Sequence, residues 1–197
     1  MRSRVLNQLS DIAALVDAAR EKADALVEAA QMIAEAFAGG KKVLLFGNGG
    51  SAADAQHVAA EFVNRFLIER PPLPAVALTT DTSILTSIAN DYDFSEVFAK
   101  QIKAIGQPGD VAWGITTSGG SPNVIEGLRA ARDKQMKTIV LTGGDGGEAA
   151  GLADLLLAVE NASTAPRIQE VHLMWEHIIC DLVDYIFFQR PSEVDRA

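Results

Sequence analysis

The chain has 197 residues, 48% of them hydrophobic and 22% charged, with 16 glycines, 7 prolines and a single cysteine. At roughly 150 residues per domain this is one domain with an appendage; the apolar content excludes a disordered chain and the lone cysteine a disulfide scaffold. The net charge of −9 argues against a partner held by its phosphate backbone, because such affinity rests on Lys and Arg. No nucleic-acid partner is expected. No apolar run reaches the ~18 residues of a membrane span. Met1-Arg2-Ser3-Arg4 leads into an amphipathic stretch containing Asp11 and Asp17 instead of an apolar signal core, so a cytoplasmic protein without membrane contact is expected.

Leu9, Ile12, Val16, Ala19, Ala23, Leu26, Ala30, Ile33 and Phe37 recur at spacings of three and four, a heptad-like helical seam. Gly39-Gly40 supplies its stop. A continuous helix from Ser3 to Ala38 would be roughly 54 Å long at 1.5 Å per residue, longer than a domain of this size is wide. Either it breaks, or it packs against another subunit. Residues 1–38 are therefore expected to form an N-terminal helical oligomerisation segment.

Beyond Gly40 short apolar runs alternate with helical patterns. Val43–Phe46, Ala75–Leu78, Val111–Ile115, Thr138–Leu141 and Leu155–Val159 lack period-two alternation, the mark of parallel strands covered on both faces. Helical patterns occupy Ser51–Phe66, Ser83–Ile105, Pro122–Lys134, Glu148–Ala153 and Pro166–Phe188. Five strands alternating with helices predict an α/β class: a doubly wound, five-stranded parallel sheet sandwiched by helices. Ligands in such sheets bind beyond the C-terminal strand ends, where loops enter helices.

The first of these loops is Gly47-Asn48-Gly49-Gly50-Ser51. Glycines let backbone approach an anion closely, and the following helix N-terminus directs free N–H groups at it. Gly47, Gly49 and Ala52 also fit a dinucleotide pattern, but the second strand ends in Thr79-Thr80 instead of a ribose-binding acid. The third strand leads into Thr116-Thr117-Ser118-Gly119-Gly120-Ser121-Pro122-Asn123. Hydroxyls, backbone donors and a helix dipole make a phosphate cradle without a cationic side chain. No Gly-Lys-Ser/Thr occurs, so a bound phosphate is a handle on a small molecule, not a group being transferred. Thr142–Glu148, after the fourth strand, is expected to be a structural turn.

His57 and Glu61 lie one turn apart on one helix face, a geometry suited to a shared metal or an acid/base pair. Gln169, His172 and His177 lie on the last helix. Gln169 and His177 are separated by about 80° and ~12 Å. One metal could join them only if the side chains lean together or different subunits supply them. Asn90-Asp91 is a turn signal by residue type. Asp54 and Asp81 fit a site or a purely local role. Cys180, amid Ile178, Ile179 and Leu182, is expected to be a buried, inert thiol.

Taken in order, Gly47–Ser51 with Asp54, His57 and Glu61, then Asn90-Asp91, then Thr116–Ser121, then Arg167-Ile168-Gln169-Glu170 with His172 and His177 resemble the phosphoheptose isomerases, which are built on the sugar-isomerase (SIS) domain. The resemblance implies a SIS domain over residues 39–197 and a homotetramer with active sites at subunit interfaces. It implies one Zn2+ per subunit, held by the positions matching His57, Glu61, Gln169 and His177, with acid/base roles for Glu61 and His177. Sugar-phosphate contacts are implied for Asn48, Gly49, Gly50, Ser51, Glu61, Asn90, Asp91, Thr116, Thr117, Ser118, Ser121 and Gln169. The implied reaction converts sedoheptulose 7-phosphate to D-glycero-D-manno-heptose 7-phosphate through an enediol, for ADP-heptose, lipopolysaccharide core or related heptose biosynthesis. Two alternatives stay open: a non-catalytic SIS tetramer that binds the replication initiator protein, and a sensor of another sugar phosphate. Retention of Glu61 beside His57, Gln169 and His177 favours the enzyme.

Overall fold

A computed structural model describes residues 1–162 and 164–189; Ser163 and 190–197, the end of the expected 39–197 domain, lie outside the described residues. Five strands, β1 (Val43–Gly47), β2 (Ala75–Ala77), β3 (Val111–Thr116), β4 (Lys137–Gly143) and β5 (Leu155–Val159), form one parallel sheet in the order β2-β1-β3-β4-β5. Every residue of β1 and β3 is buried, as the unbroken apolar runs require. At one edge β2 turns Val76 outward, 40% exposed, and β4 begins on the exposed Lys137.

The helices are α1 (Arg2–Ala18), α2 (Ala23–Ala38), α3 (Gly50–Val63), α4 (Thr82–Asp91), α5 (Val97–Ile105), α6 (Pro122–Asp133), α7 (Gly147–Ala150) and α8 (Ala165–Asp184). One sheet face carries α2, α3 and α8, whose Ile33, Phe37, Val58, Phe62, Trp175 and Ile179 pack on Leu45, Trp113 and Leu141. The other carries α5 and α6, whose Phe98, Ile102, Val124 and Leu128 pack on Leu44, Phe46 and Val140. Because α3 and α6 cover opposite faces, the loops leaving the adjacent strands β1 and β3 part to either side and open a crevice between them.

Two helical patterns are interrupted. The N-terminal pattern breaks at a 3-10 turn over Ala19–Lys22, where Ala19 enters the core and Lys22 Nζ donates to Glu160 Oε1 at 2.9 Å. Beyond the turn α2 is part of the core through Leu26, Ala29, Ala30, Ile33 and Phe37, whereas α1 buries no residue. The expected helix over Ser83–Ile105 is two helices. Asp93 stops the first from running on: its Oδ1 accepts from Ser95 N at 2.8 Å and caps a short 3-10 turn, Phe94–Glu96, that feeds α5. Aspartate does this because its carboxylate competes for backbone N–H groups that a continuous helix would use.

The Thr142–Glu148 turn is structural, as expected. Gly144, Gly146 and Gly147 all have positive φ, and Ala149 N donates to Gly119 O at 3.0 Å, tying this turn to the one after β3. A Cβ on Gly119 would sit 2.0 Å from Gly146 O, so only glycine fits there.

His172 joins α8 to β4. It is fully buried, and its Nε2 donates to the Thr142 carbonyl at 2.9 Å, which fixes the proton on that nitrogen because a carbonyl only accepts. Burial pulls its pKa down from 6.5 to about 4, against the smaller opposing pull of the Thr142 hydrogen bond. The folded chain therefore binds fewer protons here than the unfolded chain between those pH values. Stability is fully present above pH 6.5 and is lost as pH falls through about 4. Denaturant unfolding at pH 7 and pH 4.5 should show a loss on the order of 2 to 3 kcal/mol from this residue, and His172→Gln should remove that share of the acid sensitivity.

Candidate active site

The crevice between β1 and β3 is walled by backbone and hydroxyl groups. Leaving β1, Gly49 takes φ +56 and precedes the first residue of α3. A Cβ at Gly47 would meet Ile115 O at 2.7 Å and Ser51 Cβ at 2.9 Å, so glycine lets the two strand ends close on one another. Asn48 and Asn123 exchange a pair of amide hydrogen bonds, each 2.8 Å, and so hold the α3 entry against the first turn of α6. Across the crevice Ser118 Oγ accepts from Gly120 N at 3.2 Å, and Thr116 Oγ1 pairs with Ser121 Oγ at 3.1 Å. Thr117, Ser118 and Ser121 are open to solvent, whereas Thr116 and Ser51 are buried. Thr116 thus orients Ser121. Neither segment contains Lys or Arg; the positive potential comes from the N-terminal ends of α3 and α6.

Farther along α3 the site becomes ionisable. His57 Nε2 lies 2.8 Å from His177 Nε2 of α8, with one imidazole N–H donating to the other. Glu61 Oε1 is 3.5 Å from His57 Nε2. His57 is half-exposed and Glu61 less so, and Phe66 lies against the His177 ring at 5.6 Å. One chain alone brings these three together. Gln169 sits one end of α8 away, against the start of α3. A Cβ on Gly50 would fall 2.5 Å from Gln169 Nε2, so the missing side chain makes room for this amide.

Two imidazole nitrogens and a carboxylate oxygen are the donor types zinc takes. Among the described residues no group of three His, Cys, Asp or Glu is placed to hold a metal ion. The donor types of His57, Glu61 and His177 are those of a zinc site, whereas Gln169 lies at the other end of α8, against Gly50.

Two acids behind the imidazoles were not foreseen as a pair. Glu176 is fully buried with neither carboxyl oxygen hydrogen-bonded among the described residues. Burial, reinforced by nearby Asp54, raises its pKa to about 8, so it is neutral at pH 7. Asp54 is raised as well, by burial against the opposing pull of His57. The clue in the sequence is a lone acid at 176 between Trp175 and His177 on the buried side of α8. Asn123 was also missed; its clue is an amide in the first turn of α6 facing the Asn48 loop.

Other expected positions stand apart. Asn90 and Asp91 end α4, exposed, and hydrogen-bond each other at 2.8 Å. Asp81 caps α4, accepting from Ile84 N at 2.9 Å. Cys180 is buried, and burial pushes its thiol pKa well up, consistent with an inert thiol.

The contact between Gly50 and Gln169 can be tested directly. Gly50→Ala should fold with unchanged or slightly higher Tm, since alanine favours helix by up to about 1 kcal/mol over glycine. The added methyl should displace the Gln169 side chain, seen as shifted carboxamide resonances in a 15N–1H spectrum.

Comparison with known proteins identifies the family of the chain. The family model of the SIS domain matches residues 9–143. The chain is 56% identical over 170 residues to the phosphoheptose isomerase of Nitratidesulfovibrio vulgaris (strain Miyazaki F), covering 86% of this chain and 81% of that one. It is 51% identical over 181 residues to the phosphoheptose isomerase of Shewanella sediminis, covering 90% and 91%. Among solved structures, phosphoheptose isomerase from Neisseria gonorrhoeae superposes with a TM-score of 0.88 at 44% identity, over 93% of this chain and 98% of that one. That from Francisella tularensis gives 0.88 at 36% identity, over 92% and 97%. With the family model over most of its length and relatives more than half identical, the chain belongs to the SIS domain family and, within it, to the phosphoheptose isomerases, which are aldose–ketose isomerases.

Proposed function

We propose that this chain interconverts sedoheptulose 7-phosphate and D-glycero-D-manno-heptose 7-phosphate, supplying heptose for ADP-heptose, lipopolysaccharide core or a related product. The observation that carries this is the meeting of Glu61 and His177 at His57, on the helix whose N-terminus helps wall the hydroxyl-lined crevice. Moving a carbonyl between C1 and C2 requires a base for a carbon-bound proton and a group that handles the oxygen proton of the enediol. Glu61 takes the proton from carbon, and His177 moves the proton on oxygen. The Gly49–Ser51 backbone and the Thr117, Ser118 and Ser121 hydroxyls bind the phosphate, and Gln169 orients the sugar beside them. A phosphate suits this cradle because helix ends and hydroxyls bind anions without a competing ion pair.

One Zn2+ per chain is part of the proposal, with His57, Glu61, Gln169 and His177 as the residues that would hold it; Glu61 and His177 move protons when the ion does not occupy their lone pairs. Bound there, zinc would supply Lewis-acid polarisation of the sugar carbonyl.

We also propose a homotetramer. Helix α1 leaves Val5, Leu6, Leu9 and Val16 exposed, and an apolar groove runs between Val16, Val27, Met174, Ile178 and Leu182. Asn90 and Asp91 would then serve a neighbouring protomer's site. A non-catalytic initiator-binding scaffold gains no support: the relatives named above are isomerases, and such a scaffold gives the His57–Glu61–His177 cluster nothing to do.

Incubation with sedoheptulose 7-phosphate should yield the aldose phosphate; tight initiator binding without turnover would instead favour the scaffold. Glu61→Gln should keep the fold and sugar-phosphate binding while turnover falls by about 10²–10⁴-fold, the usual worth of general acid–base help. Turnover within a few-fold of wild type would remove Glu61 as the base. Elemental analysis of the purified protein should find about one zinc per chain, and none at neutral pH would remove the metal.

A further inference from the structure

Arg70 follows the end of α3 and folds back beneath it. Its side chain is 1% exposed, and that of its partner Asp184 is 3% exposed. Arg70 Nε donates to Asp184 Oδ1 at 2.6 Å, Nη1 to the Phe62 carbonyl at 2.7 Å and to the Pro71 carbonyl at 3.2 Å, and Nη2 to the Glu61 carbonyl at 2.8 Å. Carbonyls in the last turn of a helix have no intrahelical partner, and a cation is favoured there. A guanidinium serves a helix end and a carboxylate at once because its donors point outward in a fixed plane; an ammonium does not.

The partner matters as much as the bond count. Asp184 is the last residue of α8 and lies two turns beyond His177 on nearly the same face, within about 20°. One guanidinium therefore grips the backbone of Glu61 itself and the end of the helix that carries His177. The phosphate cradle lies at the opposite end of α3, roughly 20 Å away along the helix.

We propose that Arg70 and Asp184 are positioning residues for isomerisation: their buried ion pair sets the placement of Glu61 on α3 relative to His177 on α8. This rests on the function proposed above. Neither residue reaches the substrate, so their effect passes through the geometry of the two groups that move protons. Proton transfer is steeply sensitive to distance, and misplacement by about 1 Å can cost 10²-fold. Phosphate binding, set at the other end of α3, is left alone.

The test uses the full chain with Arg70→Lys, which keeps the charge, and Asp184→Asn, which keeps the shape and an acceptor. At a temperature where circular dichroism shows each variant fully folded, kcat should fall about 10- to 100-fold while KM for sedoheptulose 7-phosphate stays within about threefold. Labelled imidazole 15N resonances of His57 and His177 should shift as well, although neither ring touches the clamp. A kcat within twofold of wild type in the folded variants overturns the proposal, as do unchanged imidazole resonances. Loss of folded protein in both variants assigns the pair to stability alone and overturns it too. A wild-type chain that does not turn over the sugar phosphate overturns the proposed function instead, and the imidazole shifts then decide the clamp alone.

Discussion

Two helices remote in sequence must lie side by side on one face of the sheet, and everything chemical in this protein follows from that. The buried side of α3 is built from Ala55, Val58, Ala59 and Phe62, and α8 answers with Val171, Trp175, Ile179 and Val183. The small side chains of α3 allow a close approach, and the large ones of α8 fill the space beneath. Held this near, the outward edges of the two helices bring imidazoles separated by 120 residues into hydrogen-bonding distance.

Charge is handled sparingly around that contact. The crevice is walled by helix ends and hydroxyls without Lys or Arg, in a chain with a net charge of −9. Behind the imidazoles a second carboxyl, Glu176, is pushed toward its neutral form by burial and by nearby Asp54, its pKa raised to about 8. A charged carboxylate there would be costly to bury and would oppose the ionised state of nearby acids. The buried ion pair of Arg70 with Asp184 is kept at the far end of the same two helices.

Much of this was legible from residue order. The parallel strands announced themselves because a strand covered on both faces needs no polar positions. The glycine and hydroxyl segments were recognisable because close backbone approach restricts which residues fit. What escaped was set by contacts between distant parts of the chain. Nothing in Ala19–Lys22 resembles a breaker; the turn lies where Ala19 enters the core and Lys22 reaches Glu160, 138 residues away. The break between α4 and α5 depends on which of several Asp and Asn residues captures a backbone N–H, and it is Asp93. Asn123, Glu176 and Arg70 went unnoticed for the same reason: each acquires its role only from a partner that folding brings to it.

The tight contact between the turns after β3 and β4 has a wider consequence. Since Gly119 and Gly146 touch backbone to backbone, neither segment can be exchanged on its own. A library that diversifies the Thr117–Ser121 stretch to seek new sugar specificities would need to carry the Asp145–Gly147 stretch along as one cassette. Natural lineages that alter one should show a compensating alteration in the other.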